Sequence, residues 1–122
     1  MSTYLLAWAV SKYESAKSTS ARGVKFEAFY YNASLMQHAA DVGAKMLEHF
    51  EQKVFGINYN LPKMDIVAVP KFAAGAMENW GMMTFQAGYA ARLQTQTMRK
   101  IFVNDGVMAH ELVCHFIIFF MI

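Results

Sequence analysis

Gly75-Ala76-Met77-Glu78-Asn79-Trp80-Gly81 and Val107-Met108-Ala109-His110-Glu111-Leu112-Val113 are the two stretches on which the reading of this chain turns. The first is a turn flanked by glycines and carrying one carboxylate, Glu78. Glycine tolerates the left-handed backbone and lets the main chain come close to a ligand. The second is an apolar helix interrupted by two adjacent polar residues, His110 and Glu111. In the pattern H-E-x-x-H, two histidines at i and i+4 share a helix face and hold zinc, while the glutamate acts as general base on the metal-bound water. His110 fits the first ligand and Glu111 the base.

The second ligand position departs from that pattern. Cys114 stands at i+4 from His110, and the next histidine, His115, stands at i+5. At about 100° per residue, i+4 lies about 40° round the helix from i, and i+5 about 140° round. Cys114 therefore faces a metal held by His110, and thiolate is a competent zinc ligand. His115 reaches the same metal only through a one-residue bulge, at a cost in helix hydrogen bonds. Three arrangements stay open: a cysteine-substituted site, a bulged site using His115, and no site. A third protein ligand is needed in either of the first two.

Around these motifs the chain reads as alternating strands and helices. Asn32 caps a helix from about 33 to 54, ended by Gly56. Leu35, Met36, Ala39, Val42, Gly43, Met46, Leu47, Phe50 and Val54 recur on one face, opposite Gln37, His38, Asp41, Lys45, Glu48 and Gln52. His38 and His49 are expected to be solvated. Tyr4 to Val10 reads as a largely buried strand, Ser11 to Arg22 as a polar loop, and Val24 to Tyr30 as a half-exposed strand. Asp65 to Val69 is a short buried strand closed by Pro70, and Trp80 to Phe85 a further strand following the Gly75–Asn79 turn. Gly88 to Phe102 is only weakly periodic. Asn104 or Asp105 is expected to cap a last helix through His110. A change of character near residue 31 suggests a domain boundary there.

Composition narrows the function classes. The 122 residues are 56% hydrophobic, above the usual 45–50% or so, which suggests surface that other chain would cover. Eleven Lys and Arg against nine Asp and Glu give +2 without a basic stripe, so nucleic-acid binding is not expected. The single cysteine, Cys114, excludes an internal disulfide framework. Met1 to Trp8 lacks the basic start of a signal peptide. The apolar run Phe116 to Ile122 is far shorter than the ~20 residues that span a bilayer, so no membrane segment is expected.

The pentapeptide Gly75-Ala76-Met77-Glu78-Asn79 ahead of His110-Glu111 resembles the M1 family of zinc aminopeptidases. Leu61-Pro62-Lys63-Met64-Asp65, Val69-Pro70-Lys71-Phe72 and Met1-Ser2-Thr3-Tyr4-Leu5-Leu6-Ala7 are similar to family segments too, and the likeness covers nearly all of residues 1 to 112. The resemblance implies an α+β fold: residues 1–31 as the last strands of a β-domain, and 32–122 as the start of a thermolysin-like catalytic domain. It implies hydrolytic removal of N-terminal residues from peptides with a free N-terminus. Glu78 would hold the α-ammonium, the backbone of Gly75, Ala76, Met77 and Asn79 would contact the substrate, and Glu111 would be the catalytic base. One zinc ion would be held by His110 with Cys114 or His115. The family's later Gln-Trp-Phe-Gly-Asn type sequence, its glutamate zinc ligand and its tyrosine have no match in Cys114 to Ile122. The chain is therefore expected to be a fragment that binds zinc poorly and does not turn over. The alternative expectation is a catalytically dead module that binds peptide N-termini.

Overall fold

The computed structural model describes residues 6–91 and 96–121, with the backbone alone over 119–121. Five strands form one sheet: β1 (Glu14–Thr19), β2 (Lys25–Tyr30), β3 (Lys63–Val69), β4 (Ala76–Met77) and β5 (Met82–Gln86), in the order β1-β2-β3-β5-β4. The pairings β2/β3 and β3/β5 are parallel, and the outer pairs β1/β2 and β4/β5 are antiparallel. Three helices accompany the sheet: α1 (Gln37–His49), the single turn α2 (Ala87–Ala90) and α3 (Met98–Met121). The mixed sheet with its helices is the expected α+β class.

Period-two alternation explains the sheet's packed face. Phe26, Ala28 and Tyr30 of β2, Met64, Ile66 and Ala68 of β3, and Met83 and Phe85 of β5 are all buried on it. α1 lays Ala39, Ala40, Ala44 and Leu47 into the same core, and α3 adds Met108, Leu112 and Phe116. α1 is the crossover of a β-α-β unit, and its small residues let it approach closely. A Cβ built on Gly43 would lie 2.9 Å from Cε1 of Phe26.

A buried polar knot fixes the far end of α1. Glu51, in the π-helical turn Phe50–Val54 that follows it, is buried. Its Oε1 accepts from Arg22 Nη2 at 2.7 Å and from the Tyr59 backbone N–H at 2.8 Å. Arg22 Nη2 also donates to the Tyr59 carbonyl at 2.9 Å. The β1–β2 turn, the end of α1 and the lead-in to β3 are thereby joined.

Helical structure runs from a 3-10 turn at Ala33–Met36 through α1 to Val54, as the spacing predicts, and Asn32 Oδ1 accepts from the Ser34 N–H at 3.1 Å. Several expectations need correction. Tyr4 and Leu5 lie outside the described residues; residues 6–10 form no strand, and Leu6, Trp8 and Val10 are exposed. Apolar side chains make a strand only where a ladder partner and a covering surface exist, and neither accompanies these described residues. Ser11 to Arg22 is not a loop throughout, because it contains β1. That edge strand is polar, with only Ala16 buried among its residues, so it shows no hydrophobic alternation and is held by its ladder to β2.

The last helix starts at Met98, not at Asn104 or Asp105. Thr97 caps it, its Oγ1 accepting from Lys100 N–H at 3.2 Å. Asp105 instead pairs with His38 at 3.0 Å, so His38 is a link between α1 and α3 and not a solvated histidine. Because α3 is continuous, Met98–Ile118 is long and apolar enough to cross a membrane by length and composition, which the terminal run alone did not suggest. Met108, Leu112 and Phe116 nevertheless pack in the shared core. β2 and β3, which lie on either side of residue 31, are hydrogen-bonded neighbours in the sheet.

Two glycine substitutions test this packing. Gly43→Val forces a side chain into the Phe26 ring and is expected to cost about 1–3 kcal/mol. Gly106→Ala, where an added Cβ meets no atom within 4 Å in a helix, is expected to stabilise by roughly 0.5–1 kcal/mol. Chemical denaturation of both variants checks the pair; equal effects would contradict the close approach at Gly43.

Candidate functional site

The Gly75–Gly81 stretch is a turn with a two-residue strand inside it. Gly75 (φ +80°) and Gly81 (φ +79°) both adopt the left-handed backbone, which strains any residue with a Cβ. Between them Ala76 and Met77 pair with Phe85 and Thr84 of β5 as the sheet's edge. The turn then closes on itself, with Met82 N–H donating to the Asn79 carbonyl at 3.0 Å and Thr84 Oγ1 meeting Asn79 Oδ1 at 3.2 Å. Glu78 sits between the strand and the closed turn.

α3 meets this turn through His115. Its Nε2 lies 2.8 Å from the Asn79 carbonyl, and its Nδ1 lies 2.9 Å from the Glu111 carbonyl one turn back. The ring is buried, and burial lowers its pKa against the opposing pull of the two carbonyls and Glu78. A neutral imidazole has a single N–H and donates to one of these carbonyls; the protonated ring satisfies both. α3 carries no bulge here, and the structure does not bring His115 beside His110. The i+5 offset has its ordinary geometric consequence.

Glu111 is buried, with Oε2 lacking a hydrogen-bond partner. Burial, followed by the negative charge of Glu78 and hydrogen bonding with it, pushes its pKa up to about 7. Two carboxyls so close hold a proton between them more readily than they hold two charges. His110 is exposed, and its Nε2 is 3.7 Å from Cys114 Sγ. Burial, then the charges of Glu78 and Glu111, raise the pKa of that thiol. Gly75, Ala76, Glu78, His110 and Glu111 line one open cleft of about 360 Å³. Met77 and Asn79 instead hold the turn.

Tyr89 also lines this cleft, with the Lys100 ammonium 4.5 Å from its ring centroid. It lies in the weakly periodic stretch after Gly88, where no sequence signal marked it.

The donor set can be tested against zinc. With Zn–S near 2.3 Å and Zn–N near 2.0–2.1 Å, tetrahedral ligation separates S and N by ~3.5 Å. The His110–Cys114 pair meets that spacing. Among the described residues, however, no group of three or more His, Cys, Asp or Glu side chains gathers as a metal-binding set.

A profile described as the peptidase family M1 domain matches residues 38–117. "Aminopeptidase 2, mitochondrial" of Saccharomyces cerevisiae is 51% identical over 114 residues, covering 92% of this chain and 12% of that protein. "Endoplasmic reticulum aminopeptidase 2" of Bos taurus is 39% identical over 116 residues, again 92% of this chain and 12% of that protein. "Aminopeptidase A" of Gloydius brevicauda is 36% identical over 119 residues, 93% of this chain and 12% of that protein. The chain thus spans about an eighth of the length of these relatives.

The carboxyl pair gives a signed pH dependence. Glu111 binds its proton more tightly in the fold, near 7, than at its ordinary value of 4.5. Its contribution to stability is present on the acid side and is lost as pH rises from 4.5 through about 7. Thermal unfolding of metal-free protein across that window should show Glu111→Gln gaining stability relative to wild type as pH rises. A pH-independent difference between the two would contradict the shared proton.

Proposed function

The chain belongs to peptidase family M1, and from that membership we propose that it carries the substrate-amine site and the catalytic base of a zinc aminopeptidase. One observation carries this reading: Glu78 and Glu111, from separate stretches, line one cleft together with His110. An exopeptidase has to recognise a terminal ammonium, and a fixed carboxylate does so through a charge-assisted hydrogen bond. Glu78 takes that role. The left-handed backbone at Gly75 and the strand at Ala76–Met77 leave main chain open to an extended peptide, while Asn79 fixes the turn.

Glu111 is the general base. A carboxyl with a pKa near 7 is matched to taking up and returning a proton at neutral pH. An ammonium arriving at Glu78 replaces the shared proton as its partner and leaves Glu111 free to accept one. M1 peptidases are zinc-dependent; His110 and Cys114 are the donors we assign to this chain, with His115 bracing the helix.

The finer fold reading is a thermolysin-like catalytic domain, supported by the mixed sheet with α3 packed under its β4 edge. We put the end of any preceding β-domain before β1, because the sheet is continuous from β1 onward. A second reading, binding of peptide N-termini without hydrolysis, is favoured by one contrast: the carboxylate for the amine is in place, whereas the metal donors are incomplete.

Calorimetry with a short peptide is the test. Glu78→Gln, or acetylation of the peptide N-terminus, is expected to weaken binding by ~1.5–3 kcal/mol. Added zinc is expected to yield no release of a chromogenic N-terminal amino acid from the 122-residue chain. Binding that ignores both changes would overturn the amine-site assignment, and rapid release would overturn the expectation of no turnover.

A further inference from the structure

The amide side chains of Gln96 and Asn104 both grip the main chain that follows β5. Asn104 Nδ2 donates to the Gly88 carbonyl at 3.0 Å, and Gln96 Nε2 donates to the Gly88 and Ala91 carbonyls, each at 3.2 Å. These acceptors settle which end of each amide carries nitrogen, because the reverse orientation would set oxygen against a carbonyl. The two amide oxygens are left over. Asn104 is only 8% exposed. Asn104 Oδ1 and Gln96 Oε1 are both covered from solvent, and neither has a hydrogen-bond partner among the described residues. Both residues line one cavity of about 10 Å³, with His38, Tyr89, Asp105 and Met108 around it. A cavity of that size admits about one water molecule.

We propose that this cavity is a binding site for one structural water molecule, which donates one hydrogen bond to Asn104 Oδ1 and the other to Gln96 Oε1. A buried acceptor without a donor is costly, and a single water relieves two of them at once. A divalent cation suits the site less well. Such an ion takes about six or more oxygen ligands, several of them charged, whereas the two free oxygens here belong to neutral amides and the Asp105 carboxylate is paired with His38. Both oxygens are covered by this chain's own residues, so polypeptide packed outside the cavity leaves their need for a donor unchanged. Tyr89 lines this cavity and also the cleft that holds Glu78 and Glu111. The water therefore completes a polar joint between α3 and the segment that carries Tyr89, and so helps to set one wall of that cleft.

Nuclear magnetic resonance of the full, isotope-labelled chain in water is the test. The side-chain NH2 groups of Asn104 and Gln96 are expected to show cross-relaxation with water of the sign given by a long-lived, protein-bound molecule. The exposed Gln52 is the control and should show none. Asn104→Leu should abolish the signal at Gln96, and Gln96→Met should abolish it at Asn104, with the backbone amide spectrum retained. Gln96 is only half-buried, so Gln96→Met keeps the test intact if Asn104→Leu fails to fold. Absence of bound-water cross-relaxation at both amides of the wild type overturns the site. A signal at one amide that survives replacement of the other overturns the shared water. Movement of both NH2 resonances when potassium or sodium chloride replaces tetramethylammonium chloride at constant ionic strength identifies a cation in the cavity, and overturns the proposal as well.

Discussion

The contact on which the site depends is the one His115 makes with the main chain of Asn79. It is a buried side-chain-to-backbone bond between the end of the pentapeptide and the long C-terminal helix. The Asn79 carbonyl also accepts from the Met82 N–H, so the histidine attaches the helix to the carbonyl that closes the turn. Its other nitrogen faces the carbonyl of Glu111, the residue whose side chain enters the cleft. One ring thereby sets the distance between two carboxylates from separate parts of the chain. Without it, α3 would still bury Leu112 and Phe116, but apolar contacts do not fix rotation about a helix axis to the precision a shared proton requires.

The sheet supplies the platform for that contact. Parallel pairing of β2 with β3 and of β3 with β5 aligns the strands so that the pentapeptide returns along the sheet edge toward α3. Antiparallel β4 then presents Glu78 at that edge. Beneath α3, the Arg22–Glu51–Tyr59 knot holds the beginning of β3 in register with the β1–β2 turn, and the Tyr59 ring lies 6.4 Å from that of His115. A carboxylate as buried as Glu51 is costly unless charged and backbone donors both reach it, and here they do. The knot braces the C-terminal end of α1, and the close approach at Gly43 holds its middle.

Much of this was legible in the sequence, and the parts that were not share a physical cause. Long-range hydrophobic periodicity revealed α1 and the buried faces of β2 and β3. The glycines at 75 and 81 marked their backbone conformation, and the H-E pair marked the helix that lines the cleft. β1 was invisible because an exposed edge strand gains little from burial and so needs no alternating pattern. Thr97 was passed over as a cap because the stretch before it lacks periodicity, which hid where α3 begins. His38 was misjudged because a histidine's role is set by the partner across space, here Asp105. The i+5 offset did point His115 away from His110; what it faced instead could not be read without the fold.

Chain order gives the cleft a place in time. All five strands and α1 are encoded within residues 14–86, while the residue that clamps the turn is His115, near the far end of the last helix. A polypeptide made from its amino terminus can pair its sheet and bury the α1 face before α3 has been synthesised. The cleft has no such early form, because one wall is a helix still to come. Before α3 is made, Glu78 lacks the wall that Glu111 and His110 give its cleft. Assembly of the site is thus a distinct late event, separated from formation of the scaffold by the time needed to make one helix.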